Sequence, residues 1–280
     1  MPAGILYVVA TPIGNLEDIT LRAIRVLKEV NLIAAEDTRH TQILLSRYDI
    51  HTPLTSYHEH NERTKAPPLV ERLVRGESIA LLSDAGTPAI SDPGYRLVVE
   101  AVRASVRIVP LPGPSAAAAV LSASGLPTDR FVFEGFLPAK KQERRAKLQA
   151  LRNETRTVIL YEAPHRVKES LVDMQLILGD REIVIGREVS KVHEEFLRGM
   201  IGEILVQVAD REVKGEITIV VRGSSEGVQV TEEELKAAIS QLAAGGMGVK
   251  PISEFLSQRY QLSKRKIYQM ALQMKGSTGR

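Results

Sequence analysis

The 280-residue chain has no cysteine and no tryptophan, and only 4% of its residues are aromatic. Without cysteine there is no thiol nucleophile, no disulfide and no Cys-built zinc site, so the fold needs no oxidising compartment. The scarcity of aromatic rings argues against a broad stacking platform for single-stranded nucleic acid. No stretch approaches the roughly 18 apolar residues that span a bilayer. The apolar N-terminus carries no early basic residue and is broken by Pro12, which reads as a first strand rather than a signal peptide. A cytoplasmic protein with no membrane partner is expected. Two nucleotide fingerprints are also missing: no G-x-G-x-x-G follows the first strand, and no G-x-x-x-x-G-K-[ST] occurs anywhere. That argues against a standard dinucleotide fold and a P-loop NTPase.

What is present is a globular composition, 44% hydrophobic, with a formal net charge of only +3. Disorder is excluded, and the mild basicity says less than where the positive charge sits. Apolar runs at 5–10, 32–35, 52–57, 79–82 and 107–110 read as strands, and Ile24, Leu27 and Val30 show helical spacing between the first two. Alternation of this kind predicts an α/β fold with a mostly parallel sheet covered by helices. A second unit begins near Gly125, with strand candidates at 131–136, 157–161, 182–188 and 217–221 and helices around 142–152, 166–178 and 201–209. Residues 224–230 are small and polar and read as a linker, and the last 50 residues read as helical. The expected domains are 1–124, 125–223 and 231–280.

Ligands in open α/β sheets bind beyond the carboxyl ends of the strands. Three of the strand exits here are rich in Pro and Gly: residues 11–15, 83–88 and 112–117. Each alone is compatible with a tight turn; three on one sheet point to a ligand site, because Gly admits close backbone approach and Pro stiffens the loop. Asp84 suits either a ribose hydroxyl, a cationic amine or a helix N-cap. Charged clusters occupy two further exits, Glu36-Asp37-Thr38-Arg39-His40 and His58-Glu59-His60-Asn61-Glu62. The histidines lack the H-E-x-x-H helical spacing of a zinc site, so no metal is expected; a general base, an RNA contact or a solvated loop remain open for them. Tyr161-Glu162-Ala163-Pro164-His165-Arg166 is a fourth polar exit, in the second unit, placed to face the first across a cleft.

These motifs carry a resemblance. Ala10 to Thr20, Ala35 to Arg39, Ser56 to Glu62, Ser83 to Pro88, Pro112 to Ala116, Tyr161 to Arg166 and Lys214 to Glu216 resemble the tetrapyrrole-methylase-like S-adenosylmethionine methyltransferases. Within them they resemble the bacterial enzymes that 2′-O-methylate a cytidine in the decoding region of 16S ribosomal RNA. The similarity spans roughly residues 4–223. It implies a two-domain fold with a mixed second sheet and a small helical C-terminal extension, a homodimer, and S-adenosyl-L-methionine folded into the cleft between domains. Carried onto this chain, Pro12, Asp84, Ala85, Gly86, Ser115, Ala116, Tyr161 and Gly215 would line that cleft. Ala163 departs from the Ser expected in Tyr-Glu-Ser-Pro-His-Arg, a small change. For proton transfer the candidates are Glu36, Asp37 and His60, while Arg39 and Arg166 would hold phosphate or ribose.

An RNA substrate, 16S rRNA or the small ribosomal subunit, needs a basic surface. Lys140, Lys141, Arg144, Arg145 and Lys147 supply one stretch. From Thr231 onward Lys236, Lys250, Arg259, Lys264, Arg265, Lys266, Lys275 and Arg280 outweigh four Glu, and residues 251–268 resemble a small helix-turn-helix, with a docked amphipathic helical pair as the plainer alternative. Competing functions are methylation of a tetrapyrrole precursor, methylation of a protein residue, and nucleic-acid binding without catalysis.

Overall fold

The computed structural model describes residues 2–225, 232–260 and 262–277. Most of the 224–230 linker, Thr231, Arg280 and the Arg259 side chain lie outside the described residues. Five strands, β1 (Ile5–Val9), β2 (Leu32–Ala35), β3 (Leu54–Ser56), β4 (Ile79–Leu82) and β5 (Arg107–Leu111), form an all-parallel sheet in the order β3-β2-β4-β1-β5. All four residues of β2 and of β4 are buried, as expected of parallel strands covered on both faces.

The two faces sort the side chains by the period of two. Val9, Ile33, Ala35, Ala80 and Leu82 pack under α1 (Leu21–Glu29) and α2 (Thr38–Arg47), whereas Leu6, Leu32, Ala34, Ile79 and Leu81 pack under α3 (Glu62–Val74) and α4 (Tyr95–Arg103). Thr20 caps α1 by accepting the Ala23 N–H at 3.1 Å. Helix α3 has no counterpart in the sequence reading. Pro67 and Pro68 lie inside it and forgo two helical hydrogen bonds, yet Ala66, Leu69 and Leu73 are buried and hold it on the sheet.

Helix α5 (Ala116–Ser124) follows β5 and packs Val120 and Leu121 on Ile159, Val184 and Val220 of a second sheet. That sheet has β6 (Phe131–Phe136), β7 (Thr157–Glu162), β8 (Glu182–Arg187), β9 (Glu195–Met200) and β10 (Ile217–Val221) in the order β6-β7-β10-β8-β9. Only β6 and β7 are parallel; the other pairs are antiparallel, so the sheet is mixed. Its other face carries α6 (Lys141–Ala150), α7 (Val167–Leu178) and α8 (Ile201–Val208). Strand β9 was not anticipated: Arg198 and Gly199 interrupt its apolar pattern, and its pairing with β8 supplies what propensity lacks.

The C-terminal segment is a three-helix cluster of α9 (Glu232–Ala244), α10 (Val249–Tyr260) and α11 (Lys264–Ser277). Leu235, Ile239, Ile252, Leu256, Ile267 and Ala271 form its core. Phe255 of α10 and Leu272 of α11 lie outside that core, 45% and 46% exposed.

Candidate active site

The exits of β1, β2 and β4 are tied together at one edge of the first sheet. Thr11 donates its backbone N–H to the Gly86 carbonyl at 2.8 Å, Gly86 returns the bond at 3.1 Å, and the Thr11 hydroxyl donates to the Ser83 carbonyl at 3.0 Å. Gly86 sits at φ +79°, a left-handed conformation that a side chain would strain. Asp84 accepts the Asp37 N–H at 3.0 Å, and Glu36 accepts the Asp84 N–H at 3.2 Å. Asp84 is therefore a brace between two strand exits.

The second sheet closes over this edge. A cleft of about 420 Å³ lies between the two units, walled on one side by Ala85, Gly86, Thr87, Ile90, Ser115 and Ala116. Phe136, Tyr161, Pro164, Gly215 and Ile217 form the opposite wall. Six of the eight residues expected at a cofactor, Ala85, Gly86, Ser115, Ala116, Tyr161 and Gly215, thus meet at one cleft. Pro12 and Asp84 line a neighbouring pocket of about 60 Å³ with His40 and Leu44. Tyr161 stacks edge-on against Phe133 and Phe136 at 5.0 and 5.4 Å. Burial raises its phenol above the usual range, against a hydrogen bond with the Ala117 backbone.

The proposed proton acceptors differ sharply. Asp37 caps α2, accepting the Arg39 N–H at 2.8 Å while its other oxygen holds the Arg39 guanidinium at 3.0 Å. Those bonds hold its carboxyl down at about 2, which makes it a poor base, and they commit Arg39 to Asp37. Glu36 goes the other way: burial raises it, and the charges of Asp84 and Asp37 add to that while the Asp84 N–H opposes it. His60 is exposed and only touches the edge of His58, at 6.0 Å between ring centres. Arg166 holds the buried Glu162 at 2.9 Å, and its own buried Nε has no hydrogen-bond partner.

Asp92, which the sequence reading passed over, lies in the cleft wall. Burial pushes its carboxyl up to about 6, and the nearby charges of Glu36 and Asp84 add to the effect against a side-chain hydrogen bond with Ser83. In the sequence it stands in Ser-Asp-Pro-Gly, which looks like a turn; the signal that could have drawn notice is its place eight residues after Asp84 on the same exit loop. Among the described residues no group of three or more His, Cys, Asp or Glu is arranged to hold a metal ion.

On α6 the structure withdraws Arg144 from the expected basic surface, while Lys140 and Lys141 stay exposed. Arg144 is 1% exposed and holds the buried Asp173 and also Glu169, and Arg145 binds the other oxygen of Asp173 at 2.7 Å. Lys140 pairs with Glu143 at 3.1 Å and Lys147 with Glu134. Arg144, Arg145 and Lys147 fasten α6 to α7 and β6. On the C-terminal cluster, by contrast, Lys264, Arg265, Lys266 and Tyr268 are exposed at the start of α11.

A parallel sheet and a mixed sheet closing on a cleft of small residues define a class, and the chain belongs to the Tetrapyrrole (Corrin/Porphyrin) Methylases, whose family model matches residues 5–205. It is 47% identical over 283 residues to the Ribosomal RNA small subunit methyltransferase I of Pseudomonas aeruginosa, covering 99% of this chain and 100% of that protein. It is 53% identical over 229 residues to the protein of the same name from Halalkalibacterium halodurans, covering 82% and 79%. Among solved structures, a diphthine synthase superposes with a TM-score of 0.61 at 16% identity, over 78% of this chain and 90% of that one. The uroporphyrin-III-C-methyltransferase of Thermus thermophilus gives 0.54 at 20% identity, over 78% and 94%. These structures share the fold.

Proposed function

We propose that this protein is an S-adenosylmethionine-dependent methyltransferase of the small ribosomal subunit RNA, acting on the 2′-hydroxyl of a cytidine in the decoding region. The observation that carries the reading is the likeness at 47% identity, over essentially the whole chain, to an rRNA small subunit methyltransferase. The cleft supports the cofactor. Its volume of about 420 Å³ is in the range of small-ligand sites. Asp92 and the nearby Glu36 suit a cationic sulfonium, Ile90, Phe136 and Ile217 offer apolar surface for a purine, and the N-terminal turn of the nine-residue α5 suits a carboxylate. When bound, the cofactor supplies an electrophilic methyl group. The protein's share is then to orient the acceptor hydroxyl, exclude water between its two walls and accept a proton.

The same reading makes the active particle a cytoplasmic homodimer that meets its RNA through the basic C-terminal cluster. No described helix is long and apolar enough to cross a membrane. The test is methyl transfer from labelled S-adenosylmethionine to small subunits from cells lacking this gene, with nucleoside analysis. Labelled 2′-O-methylcytidine is expected. Cofactor binding without transfer to subunits or free 16S RNA would move the assignment to a small-molecule or protein acceptor.

A further inference from the structure

The turn between β8 and β9 reaches from the second unit onto the first. Glu188 and Ser190 have φ of +50° and +70°, left-handed values uncommon for non-glycine residues. Such values are costly, and where they persist the surroundings impose them. Here the surroundings are bonds in two directions. Ser190 donates its hydroxyl to the Asp18 carboxylate of the first unit and its N–H to Glu194 at 2.7 Å. The Lys191 ammonium is held by Glu188 at 2.9 Å and by Glu216 at 3.2 Å. Its stem lies across Gly14 of the first unit, where an added Cβ would collide with the Lys191 Cγ. Gly14 is not among the left-handed glycines, so its backbone does not demand glycine; the Lys191 stem does.

Lys191 thus has a contact on each side of the cleft. On the second unit, Gly215 and Glu216 belong to the cleft wall. Glu188 fixes that stretch, accepting the Glu216 N–H on its carboxylate at 2.9 Å and donating its own N–H to the Glu216 carbonyl at 3.0 Å. On the first unit, Gly14 lies three residues after Thr11, whose paired bonds to Gly86 hold the opposite wall. Burial opposes the charge of Lys191, but hydrogen bonds to Glu188 and Glu216 outweigh it and raise the ammonium above its usual range.

We propose that Lys191 is a positioning residue for the methyl transfer, a clamp that sets the separation of the two cleft walls. The proposal rests on the reading of that cleft as the S-adenosylmethionine site. Lys191 is not itself part of either wall, so it acts through Glu216 and the 11–14 loop rather than on the reacting atoms. A wall displaced by about 1 Å misaligns methyl and hydroxyl, and misplacement on that scale costs about 10²-fold in rate. Ion pairs near the surface add little to global stability, so removing this one should loosen the cleft without unfolding the chain.

The test uses the full chain as wild type, Lys191→Ala, Lys191→Arg, Gly14→Ala and the double variant of Gly14→Ala with Lys191→Ala. Binding of S-adenosylmethionine is measured by calorimetry, and transfer to saturating small subunits gives kcat. For Lys191→Ala the expectation is a loss of cofactor affinity of about tenfold and a fall in kcat of about 10–10²-fold, with a thermal midpoint close to wild type's. Lys191→Arg, which keeps a stem and a charge, should recover most of both. Gly14→Ala should cost about as much as Lys191→Ala, and the double variant no more than either, because all three break one contact. Wild-type affinity and kcat in Lys191→Ala would overturn the proposal, and so would losses that add in the double variant.

A second measurement needs no cofactor. The chain has no cysteine, so Ser46→Cys on α2 and Gln149→Cys on α6, both exposed positions, put one spin label on each unit. The distribution of distances between the labels should broaden when Lys191→Ala is added, and an unchanged distribution would overturn the clamp. If the wild type binds no S-adenosylmethionine, the parent reading fails, while the label distances still decide whether Lys191 holds the two units together.

Discussion

At the scale of single residues, chemistry is divided by local wiring rather than by residue type. Asp37 and Asp92 are the same side chain at neighbouring loops, yet one is held at about 2 by Arg39 and the other raised to about 6 by burial. The second shift has a cost for folding. The native state keeps a proton on Asp92 where the unfolded chain, with an ordinary value of 3.8, has lost it. Stability therefore falls as pH rises from about 4 to 6, and the deficit is complete above 6. A shift of this size is worth at most about 3 kcal/mol, and screening at a partly exposed carboxyl reduces that to about 1–2 kcal/mol. Asp92→Asn should accordingly be more stable than wild type by that amount at pH 8 and not at pH 4, as read by urea unfolding at both pH values. Equal stability at pH 8 would mean that the carboxyl is not under strain in the native state.

At the scale of elements, the buried Arg144–Asp173 pair joins α6 to α7. Asp173 is buried, and burial opposes its ionisation, but hydrogen bonds from Arg145 and Arg144 outweigh that and lower its carboxyl below the usual range. Arg144→Met should cost about 3 kcal/mol, because Asp173 would lose a buried partner while keeping Arg145. A denaturation midpoint like wild type's would show that Arg145 suffices. Part of the basic run serves the fold instead of the surface: nothing in Lys-Lys-Gln-Glu-Arg-Arg reveals that Asp173, 29 residues beyond Arg144, lies opposite it. The legible elements were those whose pattern is local. The continuous runs of β2 and β4 and the amphipathic α1 are found where periodicity puts them. Helix α3 was hidden by its two prolines and β9 by Arg198 and Gly199, and both exist because tertiary partners supply the stabilisation. At the site, the Gly- and Pro-rich exits could be read from sequence because backbone geometry dictates their composition. Asp92 could not, because its character comes first from burial in the folded chain and then from the charges of Glu36 and Asp84.

At the scale of the whole molecule, the cleft exists only where two sheets meet, so its occupancy can be probed without touching either core. Ala116 lines it at the first turn of α5. Ala116→Phe should fill space and lower cofactor affinity at least tenfold, with a thermal midpoint within a few degrees of wild type; unchanged calorimetric affinity would place the cofactor elsewhere.

The C-terminal cluster raises a different question, that of how a cleft sized for a small molecule captures a ribosomal subunit. Its helices pack on one another around Ile239, Ile252 and Ile267, and the start of α11 presents Lys264, Arg265 and Lys266 to solvent. Lys264 already holds Glu254 at 2.5 Å, leaving its neighbours as the stronger candidates for phosphate. Binding by such charges releases counterions, so it weakens with salt, with a slope set by the number of phosphates neutralised. Replacing the three cations with Ala should raise the KM for subunits about 10- to 100-fold and flatten its salt dependence by up to about three slope units. The kcat at saturation and the affinity for cofactor should not move, because no described residue of the cluster lines the cleft walls. A fall in kcat at unchanged KM would instead assign the cluster to positioning the reacting nucleotide, and an unchanged KM with an unchanged salt slope would leave RNA capture to another surface.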